Sequence, residues 1–75
     1  MILPNGSRIA VELRTGFEQI QTVVISGKSI ARKFEGWGIV GWRDANRLVL
    51  TNDRFHTERM ALGDIDTGQI HQFYP

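Results

Sequence analysis

The chain contains no cysteine, and only two of its 75 residues are proline. Without cysteine there is no disulfide framework and no Cys-based metal site. A domain this short must then be held by its core or by association with other copies. Apolar runs are only a few residues long, which excludes a membrane-spanning helix. The start, Met1-Ile2-Leu3-Pro4-Asn5-Gly6, has neither a basic n-region nor an apolar h-region. No signal peptide is expected there, and the expected location is cytoplasmic. Charge of one sign is also missing: nine Lys/Arg against eight Asp/Glu leave a formal net of +1. That is far from the strongly basic balance of many nucleic-acid binders. Repeats, linkers and low-complexity stretches are absent too, so residues 1–75 read as one small domain.

What the chain does have is strand-like patterning. Apolar residues make up 41% of it, ordinary for a folded domain. Its most distinctive stretch is Glu35-Gly36-Trp37-Gly38-Ile39-Val40-Gly41-Trp42, where three glycines and two tryptophans sit among β-branched residues. Glycine within a strand marks a bend, a bulge or a close backbone approach. Here it predicts a small sheet bent around an aromatic core.

Period-2 alternation dominates the rest. In Ser7–Leu13, Ile9, Val11 and Leu13 share one face and Arg8 and Glu12 the other, which predicts a half-buried strand with the apolar set inward. Arg14-Thr15-Gly16 predicts a turn. Phe17–Ser26 is β-rich, but Ile20 is out of phase with Val23 and Ile25, so either a bulge or burial on both faces is required. Ser29–Phe34 has helical spacing at Ile30, Ala31 and Phe34 with Ser29 at the N-cap position, and predicts a turn of helix or a loop. Strands follow at 36–42, 47–51 and 55–62, joined by Asp44-Ala45-Asn46 and Asn52-Asp53-Arg54 as an antiparallel meander. Gly63–Asp66 predicts a single 3₁₀ turn, and Gln69–Phe73 a last strand.

Five or six short strands in an open sheet would expose unpaired backbone at both edges, and closure removes those edges. The expectation is an all-β, five- to six-stranded small barrel with at most one short helical turn. Gly38-Ile39-Val40-Gly41-Trp42, Arg47-Leu48-Val49-Leu50 and Met60-Ala61-Leu62-Gly63-Asp64-Ile65 together resemble the SH3-like and Sm-like small barrels. The resemblance covers the second half of the chain and implies a glycine-bent strand, a hairpin, and a short "leucine, two residues, isoleucine" turn before the last strand. The first of these segments also resembles the core strand of the plasmid-encoded type II dihydrofolate reductases. Those enzymes place a Val-Gln-Ile-Tyr segment around the pore of a tetramer. This chain reads Phe55-His56-Thr57-Glu58-Arg59 at the matching strand, so the resemblance implies a barrel able to oligomerise and not the reductase activity.

Motifs for chemistry lack their context. Gly36-Trp37-Gly38-Ile39-Val40-Gly41 fits G-x-G-x-x-G, but another strand follows it where a dinucleotide site needs a helix. Gly27-Lys28-Ser29 is similar to the end of a P-loop, but Thr22 stands where the earlier glycine belongs. His56 and His71 are the only histidines and share no ligand spacing with Asp64 and Asp66. Ser7, Ser26 and Ser29 show no nucleophile elbow. No catalytic residue, metal or small-molecule cofactor is expected.

The remaining signal is arginine with aromatics. Seven of the nine cations are arginine, and residues 28–59 hold seven cations against four carboxylates. Arg32, Lys33, Trp37, Trp42, Arg43, Arg47, Arg54 and Arg59 form the candidate binding set. Basic groups beside an exposed indole make a stacking platform for RNA or single-stranded DNA. With period 2, Trp37 and Trp42 point to opposite faces unless a glycine bulge intervenes. If both fill the core, the platform is lost. The sequence therefore favours a non-enzymatic nucleic-acid-binding module, with a self-associating protein-interaction module, anchored by a Trp, Phe73 and Tyr74, as the alternative.

Overall fold

The computed structural model describes residues 2–14, 19–52 and 59–74. They form eight strands and, among the described residues, no helix. The strands are β1 (Ile2–Asn5), β2 (Arg8–Arg14), β3 (Ile20–Ser26), β4 (Ser29–Glu35), β5 (Gly38–Asp44), β6 (Arg47–Thr51), β7 (Met60–Asp64) and β8 (Ile70–Tyr74). They build two four-stranded antiparallel meanders, β1-β2-β3-β4 and β5-β6-β7-β8. The all-β expectation stands. The closed five- to six-stranded barrel does not: there are eight strands in two sheets, and the sheets do not close on each other.

Turn chemistry sets the hairpins. Asn5 pairs with Arg8 and Ser26 with Ser29, leaving Gly6-Ser7 and Gly27-Lys28 as two-residue loops. Such loops favour positive φ at their first position, and Gly6 and Gly27 have φ of 62° and 63°. Strand β1 is not among the strands expected from the pattern, and it contains Pro4, which a central strand would not tolerate. Its position at a sheet edge removes the objection, since an edge residue need not donate on its outer side.

Two bulges explain where alternation misleads. Val24 pairs with Arg32 and Ile25 with Ile30, so Ala31 has no cross-strand partner. The extra residue shifts the phase within β4, and Ile30, Ala31 and Phe34 acquire helical spacing without a helix. The expected helical turn at 29–34 is thus a bulged strand. In β5, Ile39 pairs with Leu50 and Gly41 with Val49, which leaves Val40 unpaired. This bulge brings Ile39 and Trp42 to the same, inner side. The expected 3₁₀ turn is also replaced. Gly63 and Asp64 end β7, and a turn over residues 65–67 is held by Asp64 Oδ1, which accepts from Asp66 N (2.9 Å) and Thr67 N (3.2 Å). The expected turns at 15–16 and 53–54 and the first part of the 55–62 strand lie outside the described residues.

Ala10, Val24, Phe34, Ile39, Leu48, Leu50 and Ile65 form the core between the sheets, with Leu3, Trp37 and Trp42 packed against it. Three consecutive residues, Thr22, Val23 and Val24, are buried, so β3 carries buried side chains on both faces, one of the two explanations its shifted phase allowed; Val23, on the outer face, is shielded by its neighbours in the sheet. The sheets are also tied by polar bonds. The Thr22 hydroxyl donates to Trp37 O (2.8 Å), Ile39 N donates to Glu12 Oε1 (2.8 Å), and Trp42 Nε1 donates to Leu3 O (3.0 Å). Moving along β5, these bonds reach β3, then β2, then β1. The strand therefore runs across the first sheet, as in orthogonal sandwiches.

Candidate interaction surface

The bonds to β5 decide which face of β2 points inward. Glu12 serves the backbone of Ile39, and Arg8 donates to Ala45 O (3.0 Å) and Asn46 Oδ1 (2.8 Å) in the β5–β6 turn. Ala10, between them in phase, is fully buried. Alternation then sends Ile9, Val11 and Leu13 outward. Ile9 is 38% and Leu13 42% exposed. The expected burial of this apolar set is reversed, because the polar set holds the second sheet.

Neighbouring strands extend the apolar face. Val11 pairs with Ile2 on one side and Val23 on the other, and Ile9 pairs with Ile25, which pairs with Ile30. Ile2 and Ile30 are 65% and 57% exposed. Val23, flanked in register by Val11 and Lys33, is buried at the centre of this face. Among the described residues of these strands, charge enters this face along edge strand β4, where Lys33 pairs with Val23 and Glu35 with Gln21. Neither charge has a partner among the described residues. The outer face of the first sheet is thus an apolar field with one cation and one anion on its β4 border.

The described members of the expected arginine and tryptophan set are divided between the two sheets. Arg32 points inward and is half-buried; its Nε donates to Ile65 O (2.9 Å) and its Nη2 to Asp66 O (3.0 Å). Trp37 and Trp42 are both half-buried and packed against the core. Arg47 donates through Nε and Nη2 to Asp44 Oδ2 at 2.9 and 2.8 Å. Arg43, at a second irregularity of β5, is exposed beside that hairpin. Arg59 is exposed before β7, at the end of the sheet where Met60 pairs with Thr51. Lys33 belongs to the other sheet. Arg54, Phe55 and His56 lie outside the described residues, and so does the side chain of Tyr74. Phe73 is 49% exposed at the β8 edge. Ile2 and Ile30 were missed as surface residues; the Asn5-Gly6 hairpin signal would have revealed β1 and with it Ile2.

The clearest electrostatic feature is the β5–β6 turn. Asp44 accepts from the Asn46 backbone N–H at 2.9 Å and from Arg47, and these bonds hold its carboxyl below the ordinary aspartate pKa. Because the folded value is depressed, the contribution is present above the unfolded pKa and is lost as pH falls through the folded one. An NMR titration should give Asp44 a midpoint below that of a model aspartate. Arg47→Ala should move it only part of the way back, since the backbone bond is the larger cause.

Among the described residues, no three His, Cys, Asp or Glu side chains gather in a metal-binding arrangement. No helix there is long and apolar enough to cross a membrane. The chain matches no known family model, and neither a characterised protein nor a solved structure is significantly similar to it.

Proposed function

We propose that this domain is a non-enzymatic protein-interaction module that docks through the outer face of its first sheet. The observation that carries the reading is the inversion of β2, with Ile9, Val11 and Leu13 outward and Arg8 and Glu12 inward. A contiguous apolar patch on a small domain favours association, because covering it removes apolar area from water at about 25 cal/mol per Å². Depletion of charge at the patch centre is the compositional mark of an interface core. We also set the domain beside the SH3-like and Sm-like barrels on the strand pattern of residues 38–65, as an opened, eight-stranded relative. The nucleic-acid reading has less support: both indoles pack on the core, Arg32 and Arg47 are engaged, and Lys33 stands apart from Arg43 and Arg59.

An anilinonaphthalene sulfonate titration tests this at protein concentrations well below a micromolar. Dye fluorescence should rise with the natural protein and be lost in Val11→Lys and Ile25→Lys, while Arg43→Ala and Arg47→Ala leave it unchanged. An absent dye signal, together with salt-sensitive quenching of tryptophan by a mixed oligonucleotide pool, would overturn the reading in favour of RNA or single-stranded DNA.

A further inference from the structure

We infer that the two sheets are exchangeable halves and that Gly36 is the hinge through which two copies of the chain trade them. In the resulting dimer the first sheet of each copy packs on the second sheet of the other. The inference is independent of the outer face of the first sheet.

Topology argues for exchange. Each sheet is one continuous piece of chain, residues 2–35 and 38–74, and among the described residues every strand pairing stays within its own sheet. Only Gly36 and Trp37 join the two pieces. The sheets are held together by their shared core and by bonds from the side chains of Thr22, Glu12, Trp42, Arg8 and Arg32. None of these contacts requires both partners to belong to the same chain. A second copy supplies each of them with the same geometry, and no strand ladder has to break. The inner face of each sheet is complementary to the inner face of the other, so a copy of this chain is the partner that fits both.

The link argues for control by a glycine. Gly36 N donates to Ile20 O (2.8 Å), within the first piece, whereas Trp37 O accepts from the Thr22 hydroxyl across the sheets. The chain thus changes layer between these two atoms. Gly36 does so with φ of 84°, a conformation open to glycine and costly for other residues. A Cβ there would meet nothing within 4 Å, so a side chain at this position strains the closed hinge without disturbing packing. Opening the hinge to an extended φ releases that strain and carries the second sheet away from the first. The natural chain favours the closed form, because a two-residue link keeps its own sheets at a high local concentration. Strain in the link shifts the balance toward exchange.

Sedimentation equilibrium of chains refolded from urea provides the test, carried up to about 1 mM, where a second copy competes with a short link. Gly36→Ala should favour the dimer about tenfold per hinge, and hence roughly a hundredfold in a dimer that opens two. Gly36→Asn tolerates positive φ better and should fall between Gly36→Ala and the natural chain. Gly27→Ala is the control. Gly27 has φ of 63° and equally open surroundings, but its turn lies inside the first sheet and is the same in both forms. That change should lower stability and leave dimerisation unaltered. Near-ultraviolet circular dichroism should match between single chain and dimer, because Trp37 and Trp42 pack on the same core in each. Val11→Lys should leave the exchanged dimer intact, which separates this result from the fate of the docking face. Gly36→Asn decides the matter where Gly36→Ala fails to fold. Folded hinge variants that keep the 8.5 kDa single-chain mass at every concentration would overturn the exchange. Equal dimerisation by Gly27→Ala, or a dimer with an altered near-ultraviolet spectrum, would overturn it too.

Discussion

Phe34→Ala should destabilise the domain by about 3–5 kcal/mol, the cost of deleting a buried aromatic ring and leaving part of its cavity unfilled. Phe34 is 2% exposed at the centre of the core, on the only β4 position that brings a large apolar side chain inward. A domain of this length has a total stability of roughly 4–11 kcal/mol, so the change removes a large part of it. In urea, the midpoint should fall steeply or the folded baseline vanish. Gly63→Ala probes the same spot from the other sheet. An added Cβ there would lie 2.6 Å from Leu50 Cδ1 and 3.1 Å from Phe34 Cε1 and Cζ. Overpacking of this kind costs about 1–3 kcal/mol. The two sites share one volume, so their effects should not add. Gly63→Ala should cost less in a Phe34→Leu background than alone, and equal costs in the two backgrounds would disprove the contact.

The second large effect belongs to Glu12. Its side chain is only 8% exposed, with Oε1 accepting from Ile39 N at 2.8 Å and Oε2 lying 3.4 Å from Arg14 Nε. Glu12→Ala strands a backbone donor between the sheets and should cost about 2–3 kcal/mol. Glu12→Gln keeps an acceptor and should cost clearly less. The glycine beneath makes room for this carboxylate: a Cβ on Gly38 would come 2.6 Å from both Glu12 Oε1 and Ile20 Cδ1. Gly38→Ala should therefore mimic part of the Glu12→Ala loss. Solvent-exposed substitutions usually fall within about 0.5 kcal/mol. A Glu12→Ala cost that small would mean the polar side of β2 faces water.

Much of the fold could be read from residue pattern, and the failures share a cause. The 47–51 strand, the meander through β7 and the closing strand follow from alternation and turn residues acting locally. Bulges at Ala31 and Val40 break that alternation, because one unpaired residue reverses the phase of all that follow it. Pattern alone therefore gives residues 29–34 as a turn of helix or a loop and leaves open which way the two tryptophans point. The apolar face itself was visible as Ile9, Val11 and Leu13. Its direction was not, because alternation establishes that two faces differ and not which one meets the second sheet. That choice is made by Glu12, Arg8 and Trp42 bonding to atoms distant in the chain. The arginine-rich segment shows a related limit of pattern. Composition counts cations, whereas Arg32 and Arg47 are already committed to a turn carbonyl and to Asp44.

Because the chain has no cysteine of its own, single cysteines report side-chain direction without interference. Thiol-labelling rates of the folded protein at submicromolar concentration, compared among Ile9→Cys, Leu13→Cys and Ala10→Cys, test the orientation of β2 most directly. Positions 9 and 13 should react at rates near those of the unfolded chain, and position 10 should be protected until the domain unfolds. Fast labelling at position 10 with protection at 9 and 13 would place the apolar set inside and remove the docking face.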